Sequence, residues 1–175
     1  MAVLRELGAD LGFTVQGLAP VSLDGLPISS TRIREAIRAG QLDTASRMLG
    51  RPCSLAGPVV RGDQIGRQLG FPTANLDVSG LVLPPNGVYA VHARIEDREH
   101  PAVLNIGLRP TLRDAALQLR VETHLLDFEG DLYGAELELS FVARLRDEQK
   151  FPSLQALKEQ IARDVQAARA RLVRQ

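Results

Sequence analysis

Leu117-Gln118-Leu119-Arg120-Val121-Glu122-Thr123-His124-Leu125 alternates in character at every step. A period of two sets Leu117, Leu119, Val121, Thr123 and Leu125 on one face, and Gln118, Arg120, Glu122 and His124 on the other. That is the pattern of a strand with one side in a core and one in polar surroundings. Two further stretches share it. Tyr89, Val91, Ala93 and Ile95 alternate with Val88, Ala90, His92 and Arg94, while Leu137, Leu139, Phe141 and Ala143 alternate with Glu136, Glu138, Ser140 and Arg144. Cys53–Arg61 and Pro101–Ile106 read as shorter strands. No helix of useful length separates these strands, which argues against a parallel βαβ sheet and favours a mainly β, antiparallel barrel or sandwich.

Helical spacing is confined to the two ends. Leu154, Leu157, Ile161, Val165, Ala168 and Leu172 recur at three- and four-residue steps, with Ser153 placed to cap the first turn. Near the start, Gly12, Gly17, Pro20, Gly25 and Pro27 lead into Ile28-Ser29-Ser30-Thr31, where a helix is expected to begin. It should stop at Gly40, and a second short helix carrying Leu42, Ala45 and Leu49 should stop at Gly50. Arg51-Pro52 then breaks helix geometry, so the expected domains are residues 1–50 and 51–175.

Composition narrows the function classes. Lys plus Arg and Asp plus Glu both number 21, giving zero formal charge, without the basic excess of a nucleic-acid binder or an anionic-membrane binder. Cys53 is the single cysteine, which rules out an internal disulfide and a cysteine-based metal cluster. No apolar run approaches the ~20 residues of a membrane span. No basic–apolar–small signal pattern opens the sequence. The expectation is a cytoplasmic protein without nucleic-acid or membrane partners.

Three segments could carry chemistry. In Gly62-Asp63-Gln64-Ile65-Gly66-Arg67-Gln68-Leu69-Gly70-Phe71-Pro72-Thr73-Ala74-Asn75, glycines at four-residue steps allow backbone N–H groups to approach an anion. Thr73 and Asn75 offer neutral, hard oxygens of the kind Mg²⁺ accepts alongside phosphates and water. The same residues also suit a plain glycine-rich hairpin with a proline turn, and the Walker A pattern is absent. Glu122 could take a proton from an attacking hydroxyl, or could simply face water or pair with Arg120. Asn105-Ile106-Gly107-Leu108-Arg109-Pro110-Thr111 reads as a loop whose Arg109 could touch phosphate, though surface arginines are common.

The ordered set of motifs resembles one family. The set comprises residues 62–76, Gly87-Val88-Tyr89-Ala90-Val91, the Asn105–Thr111 segment, Val121-Glu122, His124-Leu125, Asp127-Phe128 and Gly130-Asp131-Leu132-Tyr133-Gly134. It ends in Leu145-Arg146, Glu148, Lys150-Phe151 and Ser153-Leu154. Over about 51–172 it is similar to the riboflavin kinase domain of bacterial bifunctional riboflavin kinase/FAD synthetases. The resemblance implies a six-stranded antiparallel Greek-key β-barrel with a C-terminal α-helix, preceded here by a short helical N-terminal remnant. It implies transfer of the ATP γ-phosphate to the ribityl 5′-hydroxyl of riboflavin, giving FMN and ADP, with Mg²⁺ as cofactor.

Residue by residue, the resemblance makes Glu122 the catalytic base and Thr73 and Asn75 the holders of metal and phosphates. Gly62, Gly66, Arg67 and Gly70 would form a flexible flap over ATP. Asn105, Gly107, Arg109, Thr111, Phe151 and Leu154 would close over the flavin. Cys53, Arg61, Leu104 and the Glu96–His100 turn depart from the family pattern without removing a proposed ligand. Upstream, Ile28-Ser29-Ser30-Thr31-Arg32-Ile33-Arg34 is similar to the end of the family's nucleotidyltransferase domain, but its His-x-Gly-His element is missing, because His92, His100 and His124 all lie downstream. Residues 1–50 are therefore expected to be an incomplete remnant that does not make FAD by itself. A non-catalytic flavin- or nucleotide-binding barrel, a scaffold module, and the kinase half of a bifunctional synthetase remain open alternatives.

Overall fold

A computed structural model describes residues 2–62, 64–110 and 117–172. Six strands close a barrel: β3 (Ser54–Val60), β4 (Ala74–Leu76), β5 (Gly87–Ile95), β6 (Arg98–Pro110), β7 (Leu117–Leu125) and β8 (Glu136–Arg146). Their order around the ring is β3-β4-β7-β6-β5-β8, every pairing antiparallel. β5, β6 and β7 follow one another as neighbours and β8 returns beside β5, which is the Greek-key arrangement. Ile95 pairs with Arg98 across a two-residue turn in which Glu96 is left-handed (φ 51°). That turn lets β6 start earlier than the alternation suggests.

The barrel interior is filled by the predicted apolar face. Tyr89, Leu104, Ile106, Val121, Leu137 and Leu139 are all 1% exposed or less. The outer wall is not uniformly polar, however. Val88, Ala90 and Val103 lie under α5 (Leu154–Leu172), packed with Ala168 and Leu172. Alternation on β5 therefore gives way to burial on both faces. Ser153 caps α5 by accepting a hydrogen bond from the Ala156 N–H at 3.1 Å. On β8 the phase itself slips. Register shifts between Val88 and Tyr89, and between Ala90 and Val91, put Ala143 opposite Ala90, on the helix-covered side rather than in the core. A bulge inserts one residue and turns every later side chain to the other face.

The N-terminal segment holds α1 (Ala2–Leu11), a small ribbon of β1 (Ser22–Leu23) and β2 (Leu26–Pro27), α2 (Ser30–Arg38) and α3 (Leu42–Leu49). The second and third helices start and stop as the sequence predicts. Ser29 accepts from the Arg32 N–H, and Gly40 and Gly50 both take left-handed φ values. Ala36, Ala45, Met48 and Cys53 make a small core that Phe141 and Leu42 join to the barrel. The helical pair thus plugs the barrel side near β8. α1 was not foreseen, because Gly8 sits inside it.

Candidate functional site

β7 stands between two cavities. Its alternation sends Thr123 into the barrel and Glu122 outward, so consecutive residues line different spaces. The inner cavity, about 540 Å³, has Val59, Ala74 and Leu125 among its apolar lining, with Arg67, Thr123, Glu129, Asp131 and Tyr133 at more polar positions. The outer cavity, about 340 Å³, lies between the barrel wall and α5. Glu122, Asn105, His124, Arg146, Phe151 and Leu157 are among its lining residues. Thr73 lines both. It precedes β4 by one residue, where the wall between the two spaces ends.

Register explains the grouping. Asn75 pairs with Glu122, Glu122 with Asn105, Asn105 with Val88, and Val88 with Arg146. Directly opposed residues point to the same side of a sheet. One row across four strands and β4 therefore carries two carboxamides, a carboxylate and a guanidinium on the outer face. Asn75 is 7% exposed and its Oδ1 has no hydrogen-bond partner among the described residues. A buried carbonyl oxygen left unpaired costs stability unless something binds it.

The loop from β3 to β4 is built around that carboxamide. A Cβ on Gly62 would overlap the Asn75 amide, so only glycine lets the chain pass over it. A Cβ on Gly66 would strike the Phe71 carbonyl and come within 3.2 Å of the Thr73 hydroxyl. Gly70 is left-handed at φ 88° and ends α4 (Ile65–Leu69), a single helical turn within the stretch that the resemblance makes a flap. Four-residue glycine spacing is compatible with that turn. Arg67 on it lines the inner cavity. Beyond it, the Pro72 carbonyl lies 2.8 Å from His124 Nδ1, and Phe71 meets the His124 ring edge-on at 5.6 Å. These contacts tie the loop to β7.

The remaining sequence-derived candidates fall as follows. Gly107 is buried on β6, where a Cβ would run into the Glu148 carboxylate. Arg109 belongs to β6, in register with Gln118, and Thr111 lies outside the described residues. Phe151 lines the outer cavity beneath the Arg146 guanidinium, 5.7 Å from its ring centroid. Leu154 is 65% exposed and does not line the cavity, where Leu157 and Ile161 stand instead.

Several residues were not foreseen. Arg146 forms a two-pronged pair with Asp164 of α5, Nε to Oδ1 at 2.9 Å and Nη2 to Oδ2 at 2.7 Å, and Gln160 donates to Oδ1 at 2.8 Å. Both partners line the outer cavity. Tyr133 accepts from the Gln64 amide at 3.4 Å over the inner one, and Asp131 holds the Tyr133 N–H at 3.0 Å. No spacing rule links residues 18 or 69 positions apart in this way.

Known proteins resemble this chain in sequence and fold. The chain is 47% identical over 95% of its length to the bifunctional riboflavin kinase/FMN adenylyltransferase of Pseudomonas fluorescens, 41% over 95% to that of Escherichia coli K12, and 40% over 81% to that of Bacillus subtilis. It spans about half the length of these curated relatives: 53%, 53% and 45%. Among solved structures, riboflavin kinase from Trypanosoma brucei superposes with a TM-score of 0.51 at 28% identity, covering 69% of this chain and 77% of that one. A crystal structure described as a macrolide-efflux protein from Streptococcus pneumoniae matches with a TM-score of 0.77 at 34% identity, over 94% of this chain and 54% of that one. The Flavokinase model, described as riboflavin kinase, matches residues 49–172, the barrel with its C-terminal helix, and the chain belongs to that family.

Proposed function

We propose that this chain moves the γ-phosphoryl group of ATP onto the ribityl 5′-hydroxyl of riboflavin, giving FMN and ADP. The observation that carries the reading is the partition by β7: two cavities, Glu122 facing one, Thr123 the other, and Thr73 lining both. In this reading ATP fills the inner cavity and riboflavin the outer one, with the γ-phosphate meeting the hydroxyl beside Thr73. Glu122 accepts the hydroxyl proton as the oxygen bonds to phosphorus, and the bond to the β,γ-bridging oxygen breaks with its electron pair leaving on ADP. Phosphoryl transfer asks little more of a protein than alignment and charge neutralisation.

The residues present fit a hard divalent cation. Asn75 Oδ1 on β4 is a buried oxygen in want of a partner, and Thr73, just before that strand, adds a second neutral oxygen. Neutral ligands suit a metal whose charge is met by phosphates. Mg²⁺ held by Thr73 and Asn75 would offset charge on the β- and γ-phosphate oxygens. Gly62 and Gly66 keep that spot open, and Arg67 adds a positive group on the ATP side. Asn105 and Phe151, with Arg146 behind the ring, would hold and shield the flavin from water.

Residues 1–50 are, in this reading, the end of an adenylyltransferase domain like that of the bifunctional relatives. Zero formal charge favours small-molecule substrates over nucleic acid or membrane partners. No described helix is long and apolar enough to cross a membrane. The test is FMN formation from Mg-ATP and riboflavin, followed by chromatography, for the parent and Glu122→Gln. The variant should lose about 10²–10⁴-fold in kcat while binding both substrates normally. A parent that binds riboflavin but releases no ADP would favour a binding barrel, and a fully active variant would remove Glu122 from the role of base.

A further inference from the structure

The segment between β8 and α5, residues 147–153, belongs to neither strand nor helix, yet it brings Phe151 to the outer cavity. Glu148 in this segment lines the same cavity and is exposed. Its carboxylate lies against the backbone of β6, where a Cβ on Gly107 would overlap Oε1 and come within 2.9 Å of the carboxyl carbon. Gly107 follows Asn105 by two residues on the outer face of β6. It is buried and, unlike Asn105, does not line the cavity. The carboxylate covers it. Asn86, just before β5, donates from its amide to Glu148 Oε2 at 3.3 Å, while its carbonyl accepts from Arg144 Nη2 at 2.8 Å.

We infer that Glu148 is a positioning residue for the riboflavin side of the reaction: its carboxylate, seated on Gly107 and held by Asn86, fixes the segment that carries Phe151 and touches no substrate itself. This rests on the reading of the outer cavity as the riboflavin site. The Arg144–Asp147 pair in the same region has side chains 42% and 78% exposed, too solvated to hold the segment alone. The inference also changes the part played by Gly107. The resemblance puts that glycine against the flavin, whereas the three atoms nearest to a Cβ there all belong to Glu148. Its φ is not among the positive ones, so backbone strain does not demand a glycine either. Residue 107 must be small because residue 148 sits on it.

In Glu148→Ala the riboflavin dissociation constant, read from quenching of flavin fluorescence, and the riboflavin KM should rise roughly five- to tenfold. The kcat should stay within about twofold and the ATP KM should not move. Residue 148 is exposed, so the melting temperature should hold within about 2 °C. Glu148→Gln keeps the shape and an oxygen for the Asn86 amide, and should bind riboflavin like the parent. Gly107→Ala displaces the end of a flexible side chain and should weaken riboflavin binding to a similar extent. Added to Glu148→Ala it should cost nothing more, because the obstacle has gone. A glutamine variant as weak as the alanine one would show the charge acting on the ligand and overturn the inference. So would unchanged riboflavin affinity in Glu148→Ala, or a further loss from Gly107→Ala in that background, which would return the glycine to the flavin. A parent that binds riboflavin in this Glu148-dependent way yet makes no FMN would sink the kinase reading and leave the positioning role standing. A parent that binds no riboflavin would sink both.

Discussion

Removing the Asp164 carboxylate should loosen both the fold and the wall of the outer cavity, where riboflavin is proposed to bind. Asp164 and Arg146 side chains are only 7% and 16% exposed, and the carboxylate takes three guanidinium hydrogen bonds besides the one from Gln160. In Asp164→Ala the guanidinium stays behind over the Phe151 ring, with the Asp147 carbonyl, 2.9 Å from Nη1, as its remaining hydrogen-bond acceptor among the described residues. Breaking a buried pair from one side typically costs ~3–5 kcal/mol. Arg146 opens onto the outer cavity and water can reach it there, which favours the lower end, about 3 kcal/mol. At about 2–4 °C per kcal/mol for a domain of this size, circular dichroism should record a melting temperature about 6–12 °C lower. Phe151 lies under the same guanidinium, so the riboflavin KM should rise while the ATP KM holds. Arg146→Met combined with Asp164→Ala should lose less than the two single losses added together, because the pair is removed as a unit. A single variant within 2 °C of the parent (about 1 kcal/mol or less), or strictly additive losses, would refute the coupling.

Two other outcomes follow from local geometry. Gly62→Ala must push the Asn75 amide aside. FMN formation should fall about 10- to 100-fold and need more Mg²⁺, while the melting temperature drops only modestly; undiminished activity would mean the Asn75 position is irrelevant. Glu138 has its pKa held below the usual 4.5, first by the hydrogen bond from Arg94 and then by that from Ser54. A lowered folded-state value means the carboxylate stabilises the fold above pH 4.5 and loses that effect as pH falls through the lowered value. The melting gap between parent and Glu138→Gln should therefore be full near neutrality and close in acid. A gap constant down to acid unfolding would count against it.

Alternation disclosed the barrel because its inner face needs apolar residues whatever lies outside. Tyr89, Val91, Val121, Leu137 and Leu139 fall where a period of two puts them. The same rule was blind to the outer wall. Val88 and Ala90 look like interruptions in the sequence and are the floor on which α5 rests. Ala143 left its expected face because a bulge is a backbone event that residue types do not announce. Asp164 interrupts the apolar stripe of α5 and would be assigned to solvent, yet it is 5% exposed because Arg146 approaches from β8. Charge partners distant in sequence are fixed by topology. The motif-bearing residues Glu122, Thr73 and Asn75 could be singled out early; that Glu122 and Thr123 face different cavities could be seen only once β7 had neighbours on both sides.

The shortest strand of the barrel explains why the two cavities meet where they do. β4 has three residues, pairs twice with β3 and twice with β7, and so is the thinnest part of the wall. A longer strand would extend the sheet past Thr73 and seal the inner cavity from the outer one. Ending the wall at Ala74 leaves Thr73 exposed to both, but weakens barrel closure at that point. The contacts from Phe71 and Pro72 to His124, and the passage of Gly62 over Asn75, hold the loop where backbone pairing stops. Three residues carry no readable periodicity, so this gap is invisible to pattern analysis, although it is the feature that brings Thr73 to both cavities.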